Sequence, residues 1–238
     1  MVKKSQTLVT EFVLLGFADL HHFKFLIFVV FLIIHIMALA SNVLVIDLIV
    51  VFKTLHSPMY FFLSQLSLCD LLFIGNIVPT ILWLILEGGG KITISQCIFQ
   101  LYLLAVSTVT QCLLLTSMSF DRYVAICKPL HYAIIMTFVL QVQIISSCWL
   151  LGLSVWFVEY ILLYGLEYCT PNTINHFYCD ISPMVKLSCS ENLSVELVIT
   201  MLCCCLSIYA HCSHLRLHPP HYPEDAIQHW TREGLLHL

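Results

Sequence analysis

Met118-Ser-Phe-Asp-Arg-Tyr-Val-Ala-Ile-Cys-Lys-Pro-Leu-His-Tyr132 follows directly on an apolar run that begins near Cys97. Asp121 and Arg122 stand where that run gives way to charge, which places the end of a membrane helix and the start of water there. A charge at the bilayer centre costs about 2.5–3.5 kcal/mol on insertion scales, so an Asp-Arg pair belongs at the interface or faces a protein interior. An isolated Arg would read as a snorkelling side chain that marks the membrane boundary. An Arg with an acid beside it invites a partner in either placement.

The composition narrows the class in the same direction. The 238 residues are 60% hydrophobic and 10% charged, against about 25% charged in a soluble domain, and a soluble chain could not cover so much apolar surface. A net charge of -4 spread between long uncharged runs leaves no basic footprint for nucleic acid. Five segments reach the roughly 20 residues that cross the hydrocarbon core as helix: Phe25–Phe52, Pro58–Leu86, Cys97–Arg122, Leu140–Leu163 and Leu193–Tyr209. An odd count puts the termini on opposite sides. The first run is too long for a signal-peptide core and lacks an A-x-A site, so it reads as an uncleaved anchor.

Counting positive charges near the spans gives a draw, with Lys53, Arg122 and Lys128 on one side and Lys24, Lys91 and Lys186 on the other. The cysteines break it. Of the twelve, Cys69, Cys112, Cys148, Cys203, Cys204 and Cys205 lie inside apolar runs and read as small buried thiols. Cys97, Cys169, Cys179 and Cys189 share one face by alternation with the sequon Asn192-Leu193-Ser194. Four cysteines on one side indicate an oxidising compartment, which puts the N-terminus outside.

Within the spans, Asn42 is the interior polar residue of the first, and Asp47 lies close enough to its inner end to reach the interface. Ser57 can cap the second helix and Pro58 takes its first position, where a missing N–H costs nothing. Asp70 is deep enough that it must face the bundle and find polar company, with Asn42 the nearest candidate. Gly88-Gly89-Gly90 reads as a turn; without a preceding strand it is no phosphate loop. In the third span Leu104, Ala105, Thr108, Val109 and Cys112 recur at helical spacing on one face, a pattern that helix packing alone also produces. The fourth span carries Trp149 and, toward its outer end, Glu159 and Tyr160.

Several strings carry a family resemblance. The fifteen residues Met118–Tyr132, Leu55-His-Ser-Pro-Met-Tyr-Phe-Phe-Leu63 with Ser67-Leu-Cys-Asp70, and the loop strings Cys169-Thr-Pro-Asn172, Asn175-His-Phe-Tyr-Cys-Asp180 and Lys186-Leu-Ser-Cys189 resemble olfactory receptors, a branch of the rhodopsin-like G-protein-coupled receptors. The resemblance implies an all-α, polytopic membrane helix bundle, with five of the usual seven transmembrane helices present. It implies disulfides Cys97–Cys179 and Cys169–Cys189, and a polar network holding Asn42 and Asp70. It assigns G-protein coupling to Asp121, Arg122, Tyr123, Pro129 and Leu130, with Arg122 paired to its neighbouring acid at rest. The Leu104, Ala105, Thr108, Val109 and Cys112 face would line an apolar pocket for small odorants. The partners so implied are a small odorant, a heterotrimeric stimulatory G protein and the lipid bilayer. Ser41-Asn42 stands where the family has Gly-Asn, and Ser5-Gln6-Thr7 where it has an N-terminal sequon.

The resemblance runs from Met1 to about Tyr209 and then stops. This divides the chain into an extracellular segment 1–24, a five-helix receptor portion 25–209 and a non-homologous tail 210–238. The tail is rich in His and Pro, and its Cys205, His211, Cys212, His214 spacing fits no standard zinc pattern. A frameshift accounts for it: codons for Arg232-Glu-Gly-Leu-Leu-His-Leu238, read one base on, can spell Gly-Lys-Ala-Phe-Ser-Thr-Cys, the family's landmark before its sixth helix. The expectation is an olfactory receptor chain that does not signal in this form and is retained in the endoplasmic reticulum, whereas the family works at the plasma membrane. A non-signalling fragment that binds intact receptors is the alternative. Neither a nucleophile–base pair, a metal set nor a cofactor loop supports an enzyme, and neither repeats nor paired broken helices support a transporter.

Overall fold

The structure is a computed structural model that describes residues 8–16, 23–52, 54 and 57–189. The expected fifth span, the Asn192 sequon and the tail lie outside the described residues. Four helices among those residues are long and apolar enough to cross a membrane. They are α1 (Lys24–Val51), α2 (Pro58–Glu87), α3 (Ile94–Cys127) and, after a 3-10 turn at Pro129–His131 and the one-turn α4 (Tyr132–Ile135), α5 (Phe138–Tyr164). Helix α1 packs on α2, α2 on α3 and α3 on α5, so α3 is the centre of the bundle. Helix α1 buries only Ile49 and leaves Phe25, Ile33, Met37 and Val51 exposed. That outer surface suits acyl chains, since apolar side chains facing lipid carry no cost of exposure to water.

The helix ends follow from local chemistry. Pro58 opens α2, but the Ser57 side chain makes no capping hydrogen bond. Its carbonyl instead accepts from the N–H groups of Tyr60 and Phe61. At the other end Gly88 turns left-handed with φ 76°, and the N–H groups of Gly88 and Gly89 both reach the Leu84 carbonyl, at 2.8 and 3.3 Å, satisfying an acceptor that the helix leaves open. Gly90 lies against the Trp83 ring, and a Cβ there would collide with the indole. Helix α3 begins with a capping box: the Gln96 N–H donates to Thr93 Oγ1 at 3.3 Å and the Thr93 N–H to Gln96 Oε1 at 3.2 Å.

The helical class of the sequence analysis stands, and a small sheet is added to it. Strand β1 (Glu11–Leu14) lies between β2 (Gly90–Thr93), antiparallel, and β3 (Thr173–Ile174), parallel. Strands of four, four and two residues are too short a signal to read as sheet from sequence. The sheet caps the outer end of the bundle, where Phe12 and Leu14 are fully buried with Leu84, Ile98, Leu101, Leu163 and Met184 of the loop helix α6 (Ile181–Lys186). Phe12 meets Tyr168 edge-on, with centroids 5.1 Å apart. Burial pushes the Tyr168 phenol up to about 12, and its O–H donates to the Leu163 carbonyl at 3.0 Å. The exposed Lys91–Glu11 pair, 3.9 Å apart, adds little by comparison.

Two disulfides bind this cap, Cys97 to Cys179 and Cys169 to Cys189, with Cα separations of 5.5 and 5.6 Å. Beside the first, Gln100 is buried and fully used. Its Nε2 donates to Thr80 Oγ1 at 3.0 Å, its Oε1 accepts from the Cys179 N–H at 3.1 Å, and its carbonyl accepts from Asn76 Nδ2 at 2.8 Å. One side chain thus joins α2, α3 and the outer loop. Replacing it with Leu is expected to leave the Cys179 N–H and the Thr80 hydroxyl short of a partner, at about 1–3 kcal/mol for each buried group. Gln100→Leu should therefore lower the heat-unfolding midpoint in lipid nanodiscs clearly, while Phe99→Leu, at an exposed neighbour, should shift it little.

Candidate functional site

The inner end of the bundle contains the residues of the opening stretch. Helix α3 does not stop at Arg122, as the charge pattern suggests, but continues to Cys127. Its 34 residues rise about 50 Å, well beyond a hydrocarbon core of about 30 Å, so its last turns stand in water. Asp121 is buried at 1% exposure and faces inward, while Arg122 on the next position is exposed. The Asp121 carboxylate accepts the Tyr132 hydroxyl at 2.8 Å, and no ion pair links it to Arg122 among the described residues. The expected resting pair is replaced by a phenol from α4. Helical geometry gives the reason: adjacent side chains point about 100° apart, so a buried acid and an exposed Arg cannot easily meet.

Around this pair Tyr123 is half-buried, while Pro129 and Leu130 project from the 3-10 turn, Leu130 with 89% of its surface exposed. The site presents a cation and a bare apolar side chain at the helix end. Among the described residues no group of His, Cys, Asp and Glu could hold a metal.

In the middle of the bundle Asp70 is bonded, but to a residue not foreseen. Gln111 Nε2 of α3 donates to Asp70 Oδ1 at 2.7 Å. Asn42 instead donates to the Ala38 carbonyl of its own helix at 3.0 Å, and no direct Asn42–Asp70 hydrogen bond joins them among the described residues. A second polar tie runs from Trp149 Nε1 to Gln65 Oε1 at 3.2 Å. Gln65, Asn76, Gln100 and Gln111 all went unremarked in the sequence; uncharged amides within apolar runs were the available signal.

The outer half holds the face proposed for ligand. The structure divides it into two strips. Ala105 is buried in one cluster with Trp156 of α5, and Val109 packs half-buried against that cluster. Leu104, Thr108 and Cys112 form the adjoining strip, with Thr108 and Cys112 exposed and the Thr108 hydroxyl donated to the Leu104 carbonyl at 2.8 Å. That strip is an apolar wall without a free donor at Thr108. A separate cleft of about 400 Å³ opens near Asn76, Thr80, Trp83, Gln96, Phe99 and Gln100, and none of the five face residues lines it.

Burial, followed by the Asp121 hydrogen bond and charge, pushes the Tyr132 phenol up to about 12 from an ordinary value of 10.0. A group whose value is raised in the folded state contributes stability that is complete below its unfolded value and is lost as pH rises through the folded one. The stability that the Tyr132–Asp121 bond contributes should therefore be complete below about pH 10 and lost between about 10 and 12. A difference titration of phenolate absorbance, wild type minus Tyr132→Phe, is expected to show this one tyrosine ionising near the top of that window.

Comparison with known proteins places these features in one family. The olfactory receptor family matches residues 31–212. Human olfactory receptor 6B1 is 39% identical over 198 residues, 83% of this chain and 64% of its own length. Mouse olfactory receptor 6Z7 is 40% identical over 194 residues, 82% of this chain and 62% of its own. Human olfactory receptor 11L1 is 36% identical over 219 residues, 92% of this chain and 67% of its own. The chain spans less than two thirds of the length of the first two.

Proposed function

The chain belongs to the olfactory receptor family, and from that premise we propose that it is the receptor portion of a protein that detects small volatile odorants and couples to a stimulatory G protein. The observation that carries this reading is the inner end of α3: a buried Asp121 held by Tyr132, with Arg122 exposed beside the projecting Leu130. Asp121 and Tyr132 set the orientation of the helix end; Arg122, Tyr123, Pro129 and Leu130 offer the charge and the apolar anchor to the G protein. Leu104, Ala105, Thr108, Val109 and Cys112 supply the α3 side of the odorant pocket, with Ala105 and Val109 shaping it from behind through their packing on α5. Such a reading makes the protein a multi-pass receptor and not an enzyme.

We further propose that a polypeptide of these 238 residues alone does not signal and is held in the endoplasmic reticulum. A ligand shifts a two-state bundle only by binding one state better than the other. The residues after Tyr209, with six His and three Pro among them, offer no further apolar span to form the moving wall of such a bundle.

Both proposals are open to one cell assay. The 238-residue form and a form extended by two helices from a relative are expressed, and surface staining and cyclic-nucleotide response are scored across an odorant panel. The extended form is expected to respond and the short form to remain silent and internal. In the extended form Arg122→Ala should reduce the response by at least about tenfold, the loss of one charge-assisted contact, with surface staining unchanged. An equal response from the short form would overturn the second proposal, and full signal from Arg122→Ala would overturn the placement of the coupling site.

A further inference from the structure

Glu159 lies on the face of α5 that packs against the outer half of α3. One turn before it, Trp156 is buried with Ala105 and Val106; one turn after it, Leu163 joins the outer core. Glu159 is fully buried, and neither of its carboxyl oxygens has a hydrogen-bond partner among the described residues. An unpaired acid withdrawn from water is strongly unfavourable, and inside a membrane span an ionisable residue needs a specific reason to be there.

Among the described residues no cation is paired with Glu159. From Phe138 to Tyr209 the only Lys or Arg is Lys186, which is exposed on α6. The only His in that range, His176, has its ring against Tyr178 at 4.5 Å in the outer loop. Helix α3 carries no Lys or Arg before Arg122, at the opposite end of the bundle. What does surround this part of α5 is aromatic. Besides Trp156, Tyr160 stands edge-on to Tyr102 with centroids 6.2 Å apart, and stacks with Tyr164 at 6.0 Å.

A buried carboxylate on a stretch of α5 that also carries aromatic side chains suits one ligand chemistry in particular. A protonated amine donates N–H to the carboxylate in a charge-assisted hydrogen bond and presents its charge to the negative faces of the rings. An alcohol of the same shape supplies one neutral donor, and a carboxylate ligand is repelled. We propose that Glu159 makes the outer half of the bundle a recognition site for small aliphatic amines in their protonated form. The proposal rests on the odorant-receptor reading above and names the ligand class for it.

The test uses the 238-residue chain in lipid nanodiscs at neutral pH, followed by its tryptophan emission, with empty nanodiscs as the partitioning control. Cyclohexylmethylamine and cyclohexylmethanol, nearly identical in shape, are titrated into the wild type, Glu159→Gln and Glu159→Asp. The wild type is expected to bind the amine at least about tenfold more tightly than the alcohol, the size of one charge-assisted hydrogen bond. Glu159→Gln, which keeps the shape and removes the charge, should lose that preference and retain alcohol binding; Glu159→Asp should keep the preference in weakened form. An amine preference that persists in Glu159→Gln overturns the proposal. Equal binding of amine and alcohol by the wild type overturns it too and leaves the odorant-pocket reading standing. Absence of saturable amine binding by the wild type likewise overturns it.

Discussion

The attachment of the outer loop to α3 is the constraint on which the other outer contacts depend. Cys97 and Cys179 are joined covalently, and one helical turn further along Gln100 holds the Cys179 N–H and ties α3 to α2. With the loop held there, Met184 of α6 enters the core beside Cys97 and β3 is brought alongside β1. The covalent link limits how far the loop can depart, and the amide determines which face it presents. Neither does the other's work.

Polar groups inside the bundle follow one rule, that a buried donor or acceptor must be matched. Asp70 with Gln111, Trp149 with Gln65, and Asn76 with Gln100 are all ties between different helices. Apolar side chains hold membrane helices together only weakly in a solvent as apolar as themselves, so these directional contacts set register where packing alone would let the helices slide. Thr108, Ser107 and Asn42 follow the same rule within their own helices, returning their donors to a carbonyl of the preceding turn. Thr110 Oγ1 and His35 Nδ1 each leave one buried atom unmatched, whereas Glu159 leaves both oxygens of an acid so.

The sequence carried the class and the spans because twenty-residue apolar runs are a strong signal, and α1, α2, α3 and α5 lie where those runs do. Helix limits were read less well. Helix α3 exceeds its apolar run at both ends because a capping box at Thr93 and Gln96 begins it early and because helix propensity carries it past Arg122 into water. The sheet was not legible, since its partners lie far apart in the chain and each strand is only a few residues long. The choice of Gln111 over Asn42 as the neighbour of Asp70 was not legible either. It depends on which faces of α2 and α3 oppose each other, and nearly uniform hydrophobicity around both helices hides that. Likewise the five α3 residues proposed for the pocket share a sequence spacing, but only burial in the cluster with Trp156 separates Ala105 from Thr108.

The middle position of β1 has a consequence for biogenesis. Its two neighbours are the turn after α2 and the loop after α5, so Phe12 and Leu14 cannot gain both of their neighbours until four spans have been threaded. Closure of the sheet therefore reports that every preceding span was inserted with the right orientation: a single inverted helix would leave one of the three strands on the wrong side of the bilayer.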